Sequence, residues 1–198
     1  MAKIDFLKKV SRNWGPQDRT TFTIEQPSGY NSFNSITNNP NHGDERNFVS
    51  VKFWGQDASS WKKALNVNAG DRLTIRVYIH NNAAGNSGQI AEKVNVKTFL
   101  QREVSGNRLF VEIDSHNSTP QIVWDSVFLS KNSEFTVDLV ENSVRLFNNF
   151  RPSDGFYLSD SIVSDLGAWI GYDKIDGKIP GCFQYTSILI FDIIINND

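Results

Sequence analysis

The stretch RLTIRVYIH (72–80) decides the fold class, because apolar and polar residues alternate along it without interruption. Leu73, Ile75, Val77 and Ile79 occupy every second position, with arginine, threonine or tyrosine between them. Successive side chains of a β-strand point to opposite faces, so this spacing predicts a strand with one face in the core. The Ala-Gly-Asp sequence directly before it predicts a turn into that strand.

Stretches with similar alternation recur along the chain, separated by turns rich in Asn, Ser and Gly. They are TTFTIEQP (20–27), NFVSVKFW (47–54), EKVNVKTFL (92–100), RLFVEI (108–113), QIVWDSVFL (121–129), EFTVDLV (134–140), SVRLFN (143–148), AWIGYD (168–173) and CFQYTSILIFDIII (182–195). About ten strands with almost no helical periodicity predict an all-β fold. We therefore expect residues 20–198 to form a single antiparallel β-sandwich, immunoglobulin-like or jelly-roll-like.

The first 19 residues have a different pattern. Ile4, Phe6, Leu7 and Val10 recur near the period of a helix. Two interpretations stay open, a short helix or an arm that docks on another surface. Both make residues 1–19 an N-terminal arm, with Phe6, Leu7 and Val10 as its candidate assembly residues.

The terminal stretch ILIFDIII (188–195) is apolar on both faces except at Asp192. Such a strand is either central and covered on both sides, or an edge that awaits a partner. If it is an edge, a second chain could add a strand there, and Ile190, Ile193 and Ile195 are the candidate assembly residues.

Composition excludes several classes of function. The chain has 198 residues and a formal charge of −2, so we expect no nucleic-acid partner. No apolar run is long enough for membrane insertion, and no signal peptide is visible at the N-terminus. The single cysteine excludes an internal disulfide.

Charge is concentrated in GDER (43–46), just before a predicted strand. Asp44 and Glu45 are candidate calcium ligands, because Ca²⁺ binds carboxylate and carbonyl oxygens. The other interpretation is structural, with Arg46 paired to a carboxylate and the cluster fastening the asparagine-rich loop 28–45. Adjacent carboxylates rarely converge on one ion, so the pattern favours the structural corner. We therefore expect no cofactor, with calcium as the alternative.

Two tryptophans flank the polar loop GQDASS. Trp54 and Trp61 are candidate binding residues, since exposed indole rings contact sugars and protein partners. Burial in the core is the alternative for each.

No pattern typical of a catalytic centre is present in the sequence. His42, His80 and His116 lack the spacing of zinc ligands. Cys182 begins an apolar strand and has no activating neighbour in the sequence. We therefore expect a protein that is not an enzyme.

Three separated blocks resemble an uncharacterised module of bacterial secreted and cell-surface proteins. The blocks are FNSITNNPNHGDERNFVSV (33–51), VNAGDRLTIRVYIHNNAA (67–84) and GYDKIDGKIPGCFQY (171–185). The resemblance implies an extracellular or cell-surface location, an immunoglobulin-like sandwich akin to those of surface stalks, and no enzymatic activity. The chain departs from the module's usual ending, because QYTSIL makes its last strand more apolar.

These observations predict a non-enzymatic extracellular structural protein. It would be a surface or filament subunit that assembles through strand edges or its N-terminal arm, with itself or with other surface proteins. The alternative is an adhesin or lectin-like module that binds glycans through Trp54 and Trp61.

Overall fold

The computed structural model describes residues 2–4, 13–131 and 133–197. In chain order its strands are β1 (Ala2–Lys3), β2 (Val49–Phe53), β3 (Ala64–Asn66), β4 (Arg72–Ile79), β5 (Ile90–Ala91), β6 (Asn95–Glu103), β7 (Gly106–Asp114), β8 (Ile122–Ser130), β9 (Phe135–Leu139), β10 (Arg145–Asn148), β11 (Phe156–Tyr157), β12 (Ala168–Trp169), β13 (Ile179–Pro180) and β14 (Ser187–Asn197). Short 3₁₀ helices are formed by Ala58–Ser60, Asp160–Val163 and Phe183–Tyr185. None of the helices in this part of the chain is long and apolar enough to cross a membrane.

The larger sheet is organised around β14, the terminal strand. β4 pairs antiparallel along one edge of β14, from Ser187 opposite Ile79 to Ile194 opposite Arg72. β10 and β9 pair with the two halves of the other edge. β2 continues the sheet beyond β4, β11 beyond β10 and β1 beyond β9. The stretch 188–195 is therefore central, which is one of the two interpretations of its apolar sequence.

The position of β14 corrects the prediction that it assembles through an open edge. Ile193 and Ile195 point into the core and are fully buried. Ile190 points to the opposite face and is half-buried. Both edges of β14 already pair with neighbouring strands, so a partner strand has no free edge to join at these isoleucines.

The smaller sheet has the strand order β12–β6–β7–β8–β3. The long strands β6, β7 and β8 form an antiparallel meander. β3 runs parallel to β8, which differs from the wholly antiparallel arrangement expected. β5 and β13 form a separate two-stranded pair.

The core lies between the inward faces of the two sheets. Leu73, Ile75, Val77 and Ile79 are fully buried, as the alternation of 72–80 predicts. The smaller sheet adds Val96, Leu100, Leu109, Val111, Ile113, Val127 and Leu129 to the same hydrophobic cluster. Burial of each such side chain contributes about 1.5 to 3 kcal/mol relative to exposure. The prediction of an all-β sandwich is confirmed.

The stretch 20–27 is not the strand that its alternation predicts. It has one β-bridge, between Phe22 and Ile36, and a turn closed by backbone hydrogen bonds between Thr23 and Gln26. Pro27 has no amide hydrogen to donate, and the chain turns before a ladder can form.

The described parts of residues 1–19 are built into the sandwich. β1 pairs with β9, and Ile4 is fully buried in the core. Gly15 forms a β-bridge with Trp124, where a β-carbon at Gly15 would overlap the indole ring. The predicted arm residues Phe6, Leu7 and Val10 lie outside the described residues.

Candidate functional site

The two carboxylates of the GDER stretch lie in different surroundings. Asp44 accepts hydrogen bonds from Nε of Arg46 at 2.9 Å and from Nη2 of Arg46 at 2.5 Å. This ion pair is partly exposed at the surface. Glu45 points the other way and is 0 % exposed. The predicted pairing of Arg46 with a carboxylate is present.

Glu45 is the acceptor at the centre of a buried polar network. Its Oε1 accepts from Nδ2 of Asn39 at 2.6 Å, and its Oε2 from Nδ2 of Asn82 at 2.7 Å. Nδ1 of His80 lies 2.9 Å from Oε1, and since a carboxylate only accepts, this nitrogen donates. The network fastens the loop 28–45 to the chain that leaves β4.

Calcium binding by Asp44 and Glu45 stays a prediction, and the structure shows what each carboxylate contacts. Asp44 accepts from the Arg46 guanidinium near the surface, and Glu45 accepts from buried amides and an imidazole. Across the described ranges, no three His, Cys, Asp or Glu side chains come together to hold a metal ion. The contacts of the two acids therefore support the structural interpretation of the GDER stretch.

A second buried carboxylate, Asp125, joins the two sheets. It lies on the inward face of β8, and its Oδ2 accepts from the backbone N–H of Val49 in β2 at 2.6 Å. Nζ of Lys63 donates to the same oxygen at 2.6 Å and to the Val49 carbonyl at 2.8 Å. Burial raises the pKa of Asp125 and lowers the pKa of Lys63, so each group is displaced toward its neutral form.

The outward face of the larger sheet presents one row of side chains at the same register. Ser50, Arg76, Ile190, Arg145 and Tyr157 lie opposite one another across β2, β4, β14, β10 and β11. Alternate strands of a sheet lie about 10 Å apart. The backbones of Arg76 and Arg145 are therefore about 10 Å from each other, with Ile190 between them.

Both predicted binding tryptophans lie over this face and stack on cations. The Trp61 ring lies 4.8 Å from Nζ of Lys52 and 5.9 Å from the guanidinium carbon of Arg76. Trp54 is 58 % exposed, and the guanidinium of Arg72 lies 4.6 Å from its ring. The structure thus brings Trp54 and Trp61 to the same surface as the outward side of β14.

At the opposite end of the row, an arginine also stacks on aromatic rings. The guanidinium carbon of Arg145 lies 3.7 Å from the centre of the Tyr157 ring and 6.0 Å from that of Phe147. Nε of Arg145 is buried and has no hydrogen-bond partner in the part of the chain that the structure describes, while Tyr157 is largely exposed. Stacking on aromatic faces holds a guanidinium in place while it keeps donors available.

Charge on this face is only partly neutralised. Arg72 pairs with Asp192 at 2.6 Å, and Oγ1 of Thr74 donates to the same carboxylate at 2.7 Å. Among the described residues, Arg76 and Arg145 have no carboxylate partner. Partial burial lowers the pKa of Arg76, as expected of a cation without a counter-ion.

This surface has the composition of a binding surface, with aromatic rings and arginines around an apolar centre. We call it the arginine face. Its residues are Trp54, Trp61, Arg72, Arg76, Arg145, Tyr157 and Ile190.

The comparisons with known proteins found no relative. No family model, no curated protein and no solved structure matches the chain.

Sequence reasoning missed Arg76, Arg145 and Tyr157. The alternation of 72–80 places Arg76 on the outward face of its strand, and this signal was available. The pairing of β4, β14, β10 and β11, which places Arg145 and Tyr157 in the same row, joins segments far apart in the chain and leaves no local signal.

Proposed function

We propose that the protein is a non-catalytic extracellular structural subunit, whose arginine face binds an acidic surface on a second copy of the chain. The observation that carries the proposal is the pair of arginines on either side of Ile190, neither of which has a carboxylate partner within the described residues. The extracellular location is supported by the resemblance of the three sequence blocks to bacterial surface modules.

Charge complementarity favours another copy as the partner. The chain has a net formal charge of −2 although the arginine face is positive, so the remaining surface has excess negative charge. The acidic partner surface in this proposal is the segment 160–176, which contains four aspartates and one lysine. Asp165, Asp173 and Asp176 in it are exposed. It begins shortly after β11, at one edge of the larger sheet, and it contains β12, at the edge of the smaller one.

The two surfaces are different parts of the molecule, so the contact is heterologous. A heterologous contact that does not close into a ring produces an open chain of subunits. Assembly by this route needs no free edge on β14, and it leaves the sandwich intact in every subunit.

Reversing both free arginine charges should abolish this assembly. We expect the Arg76→Glu/Arg145→Glu variant to remain near the monomer mass of 22.4 kDa, with association weakened about 100-fold or more by like-charge repulsion. Wild-type oligomers should form in dilute salt and dissociate at about 0.5 M salt, where the Debye length is only about 4 Å. Light scattering and negative-stain microscopy measure both effects.

The matched control is Arg102→Glu/Lys131→Glu, which changes the net charge equally at two residues that lie outside both the arginine face and the segment 160–176. It should assemble like the wild type. A wild-type monomer at every salt concentration would rule out self-assembly. If oligomers persist in the arginine variant, assembly uses another surface.

A further inference from the structure

A polar cleft lies on the outward face of the smaller sheet, on the opposite side of the sandwich from the arginine face. Trp169, Asn95, Asp114 and Ile122 lie in one row across β12, β6, β7 and β8. The cleft has a volume of about 330 Å³, and it is lined at one end by Trp169.

The Trp169 ring is fixed from one side and open on the other. A β-carbon added at Gly177 would lie 3.0 Å from Cε3 of Trp169 and 3.1 Å from the Cα of Lys93, so the glycine lets the ring rest against the backbone. Trp169 is nevertheless 48 % exposed. An aromatic ring that is held by backbone and half open is a preorganised platform for a ligand.

Polar groups of both kinds lie beside this platform. The side chains of Lys93, Lys97, Asp114 and His116 line the cleft, and none of them makes a hydrogen bond or an ion pair within the described residues. Lysine donates, a carboxylate accepts, and imidazole does either according to its tautomer. The cleft therefore offers donors and acceptors in water, next to an apolar surface.

We propose that this cleft binds a saccharide. The C–H face of a pyranose ring would stack on Trp169, while its hydroxyl groups donate to Asp114 and accept from Lys93 or Lys97. A pyranose has this combination of an apolar face and a rim of hydroxyls that both donate and accept. The two lysines suit a carboxylated sugar as well as a neutral one. The cleft is separate from the arginine face, and sugar binding does not require assembly. Trp169 lies within the segment 160–176, so a sugar bound here would compete with a neighbouring subunit for that segment.

Binding should be detected first on a broad glycan array. It is then measured by titration of the isotope-labelled protein, followed by NMR. The titration probes are cellotetraose, chitotetraose and tetragalacturonic acid, which represent neutral, N-acetylated and acidic sugars. We expect at least one to shift the Trp169 indole signal and the backbone amides of Asn95 and Asp114. Trp169→Ala and Asp114→Ala should each weaken binding about 10-fold or more.

Trp54→Ala is the matched control, because it removes an exposed indole from the other sheet and should leave saccharide binding unchanged. The titration is repeated with Arg76→Glu/Arg145→Glu, so that assembly and sugar binding are scored separately. A blank array with three unchanged spectra overturns the proposal. Binding that survives both cleft variants, or that Trp54→Ala removes, also overturns it.

Discussion

Replacing Glu45 with alanine should lower the free energy of unfolding by about 3 to 5 kcal/mol, because removal of one partner from a buried charged network leaves the others uncompensated. Asn39, Asn82 and His80 all donate to this carboxylate. Each buried donor without an acceptor costs about 1 to 3 kcal/mol. Urea unfolding followed by tryptophan fluorescence measures the loss.

The neighbouring acid supplies the control. Asp44→Ala removes the same charge one residue away, but its partner Arg46 lies at the surface and can be solvated. We expect that variant to lose about 1 kcal/mol or less. If Glu45→Ala does not fold, Glu45→Gln keeps one acceptor oxygen and should show an intermediate loss. Equal losses for Glu45 and Asp44 variants would show that burial of the network has no energetic consequence.

The same network explains why the loop 28–45 needs so many asparagines. Asn34 donates from Nδ2 to the Tyr78 carbonyl at 2.9 Å, and Oδ1 of Asn82 accepts from the Ser35 backbone N–H at 2.5 Å. A loop that runs over a sheet end has backbone groups that the strands do not pair. Asparagine side chains satisfy those groups, and Glu45 orients the amides that do so.

Local patterns in the sequence were sufficient to predict which side chains of a strand face the core. Alternation in 72–80 predicts which residues of β4 are buried, because the two faces of a strand follow directly from its period of two residues. The structural interpretation of GDER could also be made from the sequence. An arginine beside two carboxylates predicts an ion pair, and an asparagine-rich loop predicts side-chain hydrogen bonds to the backbone.

Pairing between distant segments could not be predicted in the same way. The sequence 188–195 is compatible with a central or an edge strand, and only the positions of β4, β9 and β10 decide between them. The residues of the arginine face and of the cleft beside Trp169 are brought together by such pairings, so neither site has a contiguous sequence motif. The alternation at 20–27 predicted a strand, but this stretch forms a turn with a single β-bridge.

Lys63→Met should lower the free energy of unfolding by about 2 kcal/mol near neutral pH, because it leaves the buried carboxylate of Asp125 without its cation. The loss is smaller than for a fully buried pair, since solvent reaches the Lys63 side chain. Burial already raises the pKa of Asp125, and Lys63 opposes that rise. Without Lys63 the pKa rises further in the folded state and keeps its ordinary value in the unfolded state.

The sign of the pH dependence follows from this difference. A carboxyl group with a raised folded-state pKa adds stability below its ordinary pKa, and that stability is lost as the pH rises through the folded-state pKa. The deficit of Lys63→Met relative to the wild type should therefore be largest at about pH 8 and shrink toward about pH 5, as Asp125 takes up a proton. Urea unfolding of both proteins at each pH measures it.

The double variant Lys63→Met/Asp125→Asn tests whether Asp125 is the titrating group. Asparagine keeps an oxygen that can accept from the Val49 N–H, and it has no proton to gain in this range. Its stability relative to the wild type should vary less with pH than that of Lys63→Met. A deficit of Lys63→Met that is equal at both pH values would mean that the link between the sheets does not depend on the charge of Asp125.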